Sequence, residues 1–134
     1  MQKWDELRDI IDNQEIDLNV GDRTILHWAC WSGNLEFTKI LLQNQRININ
    51  LTDSKGETPF FIACQYGHLK IVEEFIKLGI VNFRAKNHLG LTAHDIAKEN
   101  QEKEIVNIIK LHDTGFLSYF LFYFLFWIHF SFLF

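Results

Sequence analysis

The sequence predicts an all-α solenoid of stacked helix-turn-helix units with β-hairpin-like fingers between them, followed by a C-terminal hydrophobic helix. Three observations predict it. Thr24, Thr58 and Thr92 recur 34 residues apart, and Ala29, Ala63 and Ala97 keep the same interval. Within each interval two apolar runs at helical spacing follow one another, and a polar stretch rich in Asn, Asp, Ser and Gly leads to the next pair. After Asp113 no charged residue remains, and Phe, Leu and Tyr dominate. One helix pair cannot bury its apolar faces alone, so a repeat of this length implies neighbours that cover each other.

The elements follow in chain order. Ile10-Ile11-Asp12-Asn13-Gln14 through Asn19 runs parallel to Leu41-Leu42-Gln43-Asn44-Gln45 through Asn50, so residues 1–18 form the back half of a unit and cap the stack. Full units occupy 19–52, 53–86 and 87–112. In the second, Thr58 offers an N-cap oxygen and Pro59 needs no amide partner at the first helical position, which starts a helix running to about Tyr66. Gly67 supplies the left-handed stop. A second helix, Leu69 to Leu78, buries Ile71, Val72, Phe75 and Ile76 and turns Glu73, Glu74 and Lys77 to water. The matching buried faces are Phe37, Ile40 and Leu41 before it, and Ile105, Val106 and Ile109 after it. The small Ala29, Ala63 and Ala97 let successive inner helices approach closely.

The stretch Asp53-Ser54-Lys55-Gly56-Glu57-Thr58-Pro59, with Ala63-Cys64-Gln65-Tyr66-Gly67-His68 and Ile71-Val72, resembles the ankyrin repeat: D-x-x-G-x-T-P, then A-x-x-x-G-H, then I-V. The resemblance covers about Gln2 to His112. The tetratricopeptide repeat shares the interval, but its short turns leave no room for the long polar segment. This chain departs from the family pattern in several places. Its interval is one residue longer than usual, Ile25 replaces a proline, and the turn before Thr24 is short. The third unit has Ala93, Asp95 and Gln101 where Pro, His and Gly are expected. The resemblance implies a non-enzymatic protein-protein interaction module whose partner meets the finger tips and the exposed, concave side of the inner helices. Carried over by position, the contact residues are Arg23, Trp31 and Ser32 in the first unit; Ser54, Lys55, Glu57, Gln65 and Tyr66 in the second; and His88, Leu89, Leu91, Glu99 and Asn100 in the third. Trp31 and Tyr66 are the expected anchors, because large rings with few rotors dominate interface energies. Packing of Trp31 against the short first finger is the competing reading.

Composition narrows the function further. With 134 residues, 48% of them hydrophobic and 22% charged, the chain is globular rather than disordered. A net charge of -4 is poorly suited to duplex nucleic acid, so none is expected as a partner. Two cysteines cannot build a disulfide framework, and Met1 to Ile11 lacks the apolar core of a secretory signal; a cytoplasmic stack is expected. His27-x2-Cys30 and Cys64-x3-His68 contain the residue types of a zinc set. Against that, the resemblance gives His27 a backbone hydrogen bond and Cys30 and Cys64 a small buried position, where free Cys packs like Ala. No phosphate-cradling Gly-rich loop, G-x-S-x-G or H-E-x-x-H occurs, so no catalytic residue, metal or cofactor is expected.

The tail, residues 114–134, is argued apart. Phe116 to Phe134 is an uncharged run of 19 residues. As a helix rising about 1.5 Å per residue it reaches roughly 29 Å, the thickness of a bilayer's hydrocarbon. A membrane anchor is therefore expected there. Two other readings compete: Phe at alternate positions suits a strand, and T-rich non-coding DNA would encode the same residues. A piece of a larger ankyrin-repeat membrane protein, such as a channel or palmitoyl-transferase, and a metal-dependent enzyme are the alternative functions. No D-H-H-C motif supports the palmitoyl-transferase.

Overall fold

The computed structural model describes residues 2–13 and 15–113. Seven helices follow in order among them: α1 (Gln2–Asp12), α2 (Ile25–Ser32), α3 (Leu35–Gln43), α4 (Pro59–Gln65), α5 (Leu69–Leu78), α6 (Ala93–Glu99) and α7 (Lys103–Asp113). They form two layers. Inner helix α2 packs on α4, and α4 on α6; outer helix α3 packs on α5, and α5 on α7. Ala29, Ala63 and Ala97 are all buried at the inner contacts, as the repeat requires.

The inner helices start by one device with local variations. The Thr58 hydroxyl accepts from the Phe61 amide at 3.1 Å, and the Thr92 hydroxyl accepts from the Asp95 amide at 3.2 Å. Asp95 returns a bond by accepting from the Thr92 amide at 2.9 Å, closing a capping box. The fingers are equally periodic. Asp53 Oδ1 accepts from the amides of Lys55 and Glu57, and Asn87 Oδ1 accepts from those of Leu89 and Leu91. The described residues contain no strand; one isolated antiparallel bridge pairs Lys86 with Thr92. At the N-terminal cap, the Arg46 guanidinium donates to the carbonyls of Ile11, Asn13 and Ile16, just where α1 ends and its last carbonyls lack partners.

Two glycines show how closely units dock. Gly33 and Gly67 end α2 and α4 with φ of 70° and 72°. A Cβ at Gly33 would stand 2.6 Å from the His68 ring, and one at Gly67 would stand 2.5 Å from the Glu102 carboxylate. His68 and Glu102 hold the same register position in successive units, so each unit presses on the glycine of the one before. At the third position the sequence has Gln101, with φ of 64°. Replacing a side chain in this left-handed conformation by glycine relieves about 0.5–1 kcal/mol. Gln101→Gly is expected to raise the thermal midpoint by a few degrees in a calorimetric scan; a lower midpoint would contradict the strain.

The hydrophobic helix and membrane span expected at 114–134 lie outside the described residues. Among the described residues no helix is long and apolar enough to cross a membrane.

Candidate functional site

An aromatic row runs along the exposed side of α2 and α4. Trp28 and Trp31 lie one turn apart on α2, with centroids 5.8 Å apart and planes at 87°. Tyr66, just past α4, continues the row at 6.5 Å from Trp31 and 82° to it. The three are 52%, 45% and 50% exposed, unusually open for rings of this size. Each end is buttressed. The Arg23 guanidinium sits 5.8 Å over the Trp28 ring. The His68 ring stacks on Tyr66, and its Nε2 lies 3.3 Å from the Trp31 carbonyl.

Arg23 is half-buried rather than free at a finger tip. It bonds Asp53 at 3.1 Å and approaches Glu57 at 3.8 Å. Glu57, expected at the surface, is 6% exposed: the preceding finger covers it, and Arg23 supplies its counter-charge. Burial pushes the Asp53 carboxyl up, but the amides of Glu57 and Lys55 and the Arg23 guanidinium outweigh that and hold it below the usual carboxylate range.

The other expected contact residues divide clearly. Ser32, Ser54, Lys55, His88, Leu89, Glu99 and Asn100 are exposed. Gln65 and Leu91 are half-buried. Some have structural duties as well: Ser54 bonds Asp22 through its amide and hydroxyl, the Asn100 side-chain amide donates to the Gln65 carbonyl at 2.7 Å, and the Lys55 carbonyl accepts from the His88 amide at 2.9 Å. Trp28 was absent from the expected set. Its spacing of three from Trp31 was the signal, since residues so spaced share one helix face.

His27 is a structural tie. The Thr24 amide donates to Nδ1 at 3.1 Å, which leaves Nε2–H to donate to the Glu57 carbonyl at 3.0 Å, in the next unit. Burial lowers its basicity and keeps the ring neutral. Both ring nitrogens are thereby occupied. Burial likewise pushes the Cys30 and Cys64 thiols up, away from the thiolate a metal or a nucleophilic mechanism needs.

Stacked helix pairs with polar fingers and an open face on the inner helices define a repeat-built recognition module. A family model of ankyrin repeats, in three copies, matches residues 26–115, and the chain belongs to the ankyrin-repeat family. The chain is 32% identical over 77 residues to the 26S proteasome non-ATPase regulatory subunit 10 of Dictyostelium discoideum, covering 55% of this chain and 33% of that protein. It is 31% identical over 97 residues to alpha-latrotoxin-Lg1a of Latrodectus geometricus, covering 71% of this chain and 7% of the toxin. It is 36% identical over 52 residues to human ankyrin repeat domain-containing protein 29, covering 39% of this chain and 17% of that one. The chain thus spans a third or less of these relatives' lengths. Ankyrin repeats are protein-protein interaction modules rather than catalysts.

Proposed function

We propose that this chain is a non-enzymatic adaptor whose protein partner docks on the exposed side of the inner helices and on the finger tips, with Trp28, Trp31 and Tyr66 as anchors. The aromatic row carries the reading: three large rings stay about half exposed beside a core whose Leu26, Ile62 and Phe75 are fully buried. Lys55, His88 and Leu89 on the fingers and Ser32, Gln65, Glu99 and Asn100 on the inner helices supply the polar and apolar rim. Arg23 acts by holding Trp28 in place. Trp31→Ala is expected to weaken partner capture at least tenfold, about 1.4 kcal/mol, while the thermal midpoint moves only a few degrees. Unfolding of the variant would show instead that Trp31 belongs to the core.

The uncharged run from Phe116 to Phe134 supports a second element, an anchor that holds the stack at a membrane's cytosolic face. The full chain is expected to stay in the pellet when membranes are washed with alkaline carbonate. Release into the supernatant would refute the anchor and leave the docking surface untouched.

A further inference from the structure

The last unit changes chemistry on the face that its predecessors use for stacking. In the first two units a fixed set of positions turns toward the unit that follows: Cys30, Gly33 and Leu35 in the first, and Cys64, Gly67, Leu69 and Val72 in the second. Cys30, Cys64 and Val72 are fully buried, and Gly33 and Gly67 lie against His68 and Glu102 of the next unit. The third unit has Lys98, Gln101, Lys103 and Val106 in the same register. Lys98, Gln101 and Lys103 are exposed and Val106 is half-buried; with Asn107 they line an open hollow of about 320 Å³. A polar outer face is what the end of any repeat array needs. This one is polar with a single sign.

Neither Lys98 nor Lys103 pairs with a carboxylate among the described residues. The carboxylates of α6 and α7 are engaged or point elsewhere. Glu102 lies back against Gly67 of the second unit. Asp95 accepts from the Thr92 amide and hydroxyl. Glu104 stands one turn before Ile108 and shares its face. Ile108 is in register with Glu74, which lines the groove between α5 and α3, so Ile108 and Glu104 turn toward α5. Glu99 is exposed on the open side of the inner helix. Asp113, at the end of α7, is bonded by Arg84 at 3.3 Å. Acidic charge gathers instead at the opposite end of the stack, where Met1 to Asp22 holds seven carboxylate side chains and two cations.

We propose that this end of the third unit lies on the anionic headgroups of a membrane, with Lys98 and Lys103 over lipid phosphate and carboxylate groups. This rests on the anchor reading above. The uncharged run begins three residues after Asp113, so an inserted run holds the end of α7 within about 11 Å of the bilayer. The cytoplasmic leaflet is negatively charged and attracts lysines within a Debye length of its surface, while it repels the acidic N-terminal end. The Gln101 and Asn107 amides add donors for headgroup oxygens beside the two ammonium groups. The contact uses none of the docking residues on α2 and α4.

The test reconstitutes the full chain, carrying Asn107→Cys labelled with an environment-sensitive dye, into vesicles of phosphatidylcholine alone or with a third of the lipid replaced by phosphatidylserine. Cys30 and Cys64 are buried, so the label goes to the new thiol. The expected result is a blue-shifted dye, shielded from an aqueous quencher, in the phosphatidylserine vesicles only, with the shielding lost as salt is raised. Lys98→Gln and Lys103→Gln together are expected to lower the docked-to-free ratio roughly 25-fold, about fivefold each. Both side chains are exposed, so the thermal midpoint should hold. Lys70→Gln, on the middle unit, should change nothing. Equal shielding in both kinds of vesicle would overturn the inference, as would shielding that survives the double substitution. So would a shift of the same size with poly-glutamate in place of lipid, because the face would then suit an acidic protein. An alkaline carbonate wash separates the two readings. A chain that stays in the pellet without phosphatidylserine-dependent shielding keeps the anchor and loses this contact. A chain released by carbonate but still shielded by phosphatidylserine loses the anchor and keeps the contact.

Discussion

Phe75→Ala is expected to cost about 3–5 kcal/mol, the range for removing a fully buried phenylalanine. Phe75 sits on α5 with no exposed surface, and its ring meets Phe60 on α4 edge-on at 5.7 Å. Phe60 in turn meets Phe83 at 5.5 Å, so the three rings join both helices of the second unit to the finger that follows. The cavity would open in the unit that both neighbours lean on. In a repeat stack, stability is close to a sum of unit and interface terms, so a weakened middle unit loosens both interfaces at once. A fall in thermal midpoint of roughly 15–25 °C is expected for a domain of this size. Leu41 and Ile109 hold the same register position in the units on either side and are equally buried. Ile109→Ala should cost less, about 2–4 kcal/mol, and in hydrogen exchange it should release mainly the third unit. Equal losses from Phe75→Ala and Ile109→Ala, with the same exchange pattern, would contradict the stacked-unit account.

The periodic features of this fold could be read from the chain because each is set locally. The threonine N-caps, the glycine stops and the span of α5 depend on residues within one turn, and the structure places them where the register predicts. Features set across units could not be read. Trp28 and Ile62 share a register position, yet Trp28 is 52% exposed and Ile62 is fully buried. Ile62 lies on α4, between α2 and α6, whereas the half-unit ahead of α2 contributes only the outer helix α1. Glu57 looks like a finger-tip carboxylate until Arg23, 34 residues earlier, is seen against it. Arg46 looks like a surface cation, but its guanidinium closes the end of α1. Sequence periodicity gives which residues are equivalent; burial depends on what stands on either side, and that differs at each level of the stack.

The junction between the first and second units is polar, and removing Arg23 should expose its cost. Arg23→Met keeps the aliphatic stem but leaves the Asp53 and Glu57 carboxylates buried without their counter-charge, and a loss of about 2–4 kcal/mol is expected in denaturant unfolding at pH 7. The next junction shows the repair. Asn87 stands in register with Asp53, accepts the same two amide bonds and carries no charge. Leu91 stands in register with Glu57. The triple variant Arg23→Met, Asp53→Asn, Glu57→Leu would give the second finger the uncharged pair that Asn87 and Leu91 form in the third, and it is expected to recover stability to within about 1 kcal/mol of the parent. The pH dependence separates the cases further. Asp53 is held below the usual carboxylate range in the folded protein, so its contribution is present above about pH 3.8 and is lost as pH falls further. The parent should show that acid loss in addition to the one carried by Asp95, which its hydrogen bonds with Thr92 also hold below the usual carboxylate range, whereas the triple variant should keep only the Asp95 part. His27, held neutral by burial, costs both proteins stability as pH drops below about 6.5, where the unfolded chain takes up a proton first. If the triple variant were no more stable than Arg23→Met alone, the ion pairs would not be a replaceable polar tie, and the equivalence of the two fingers would fail.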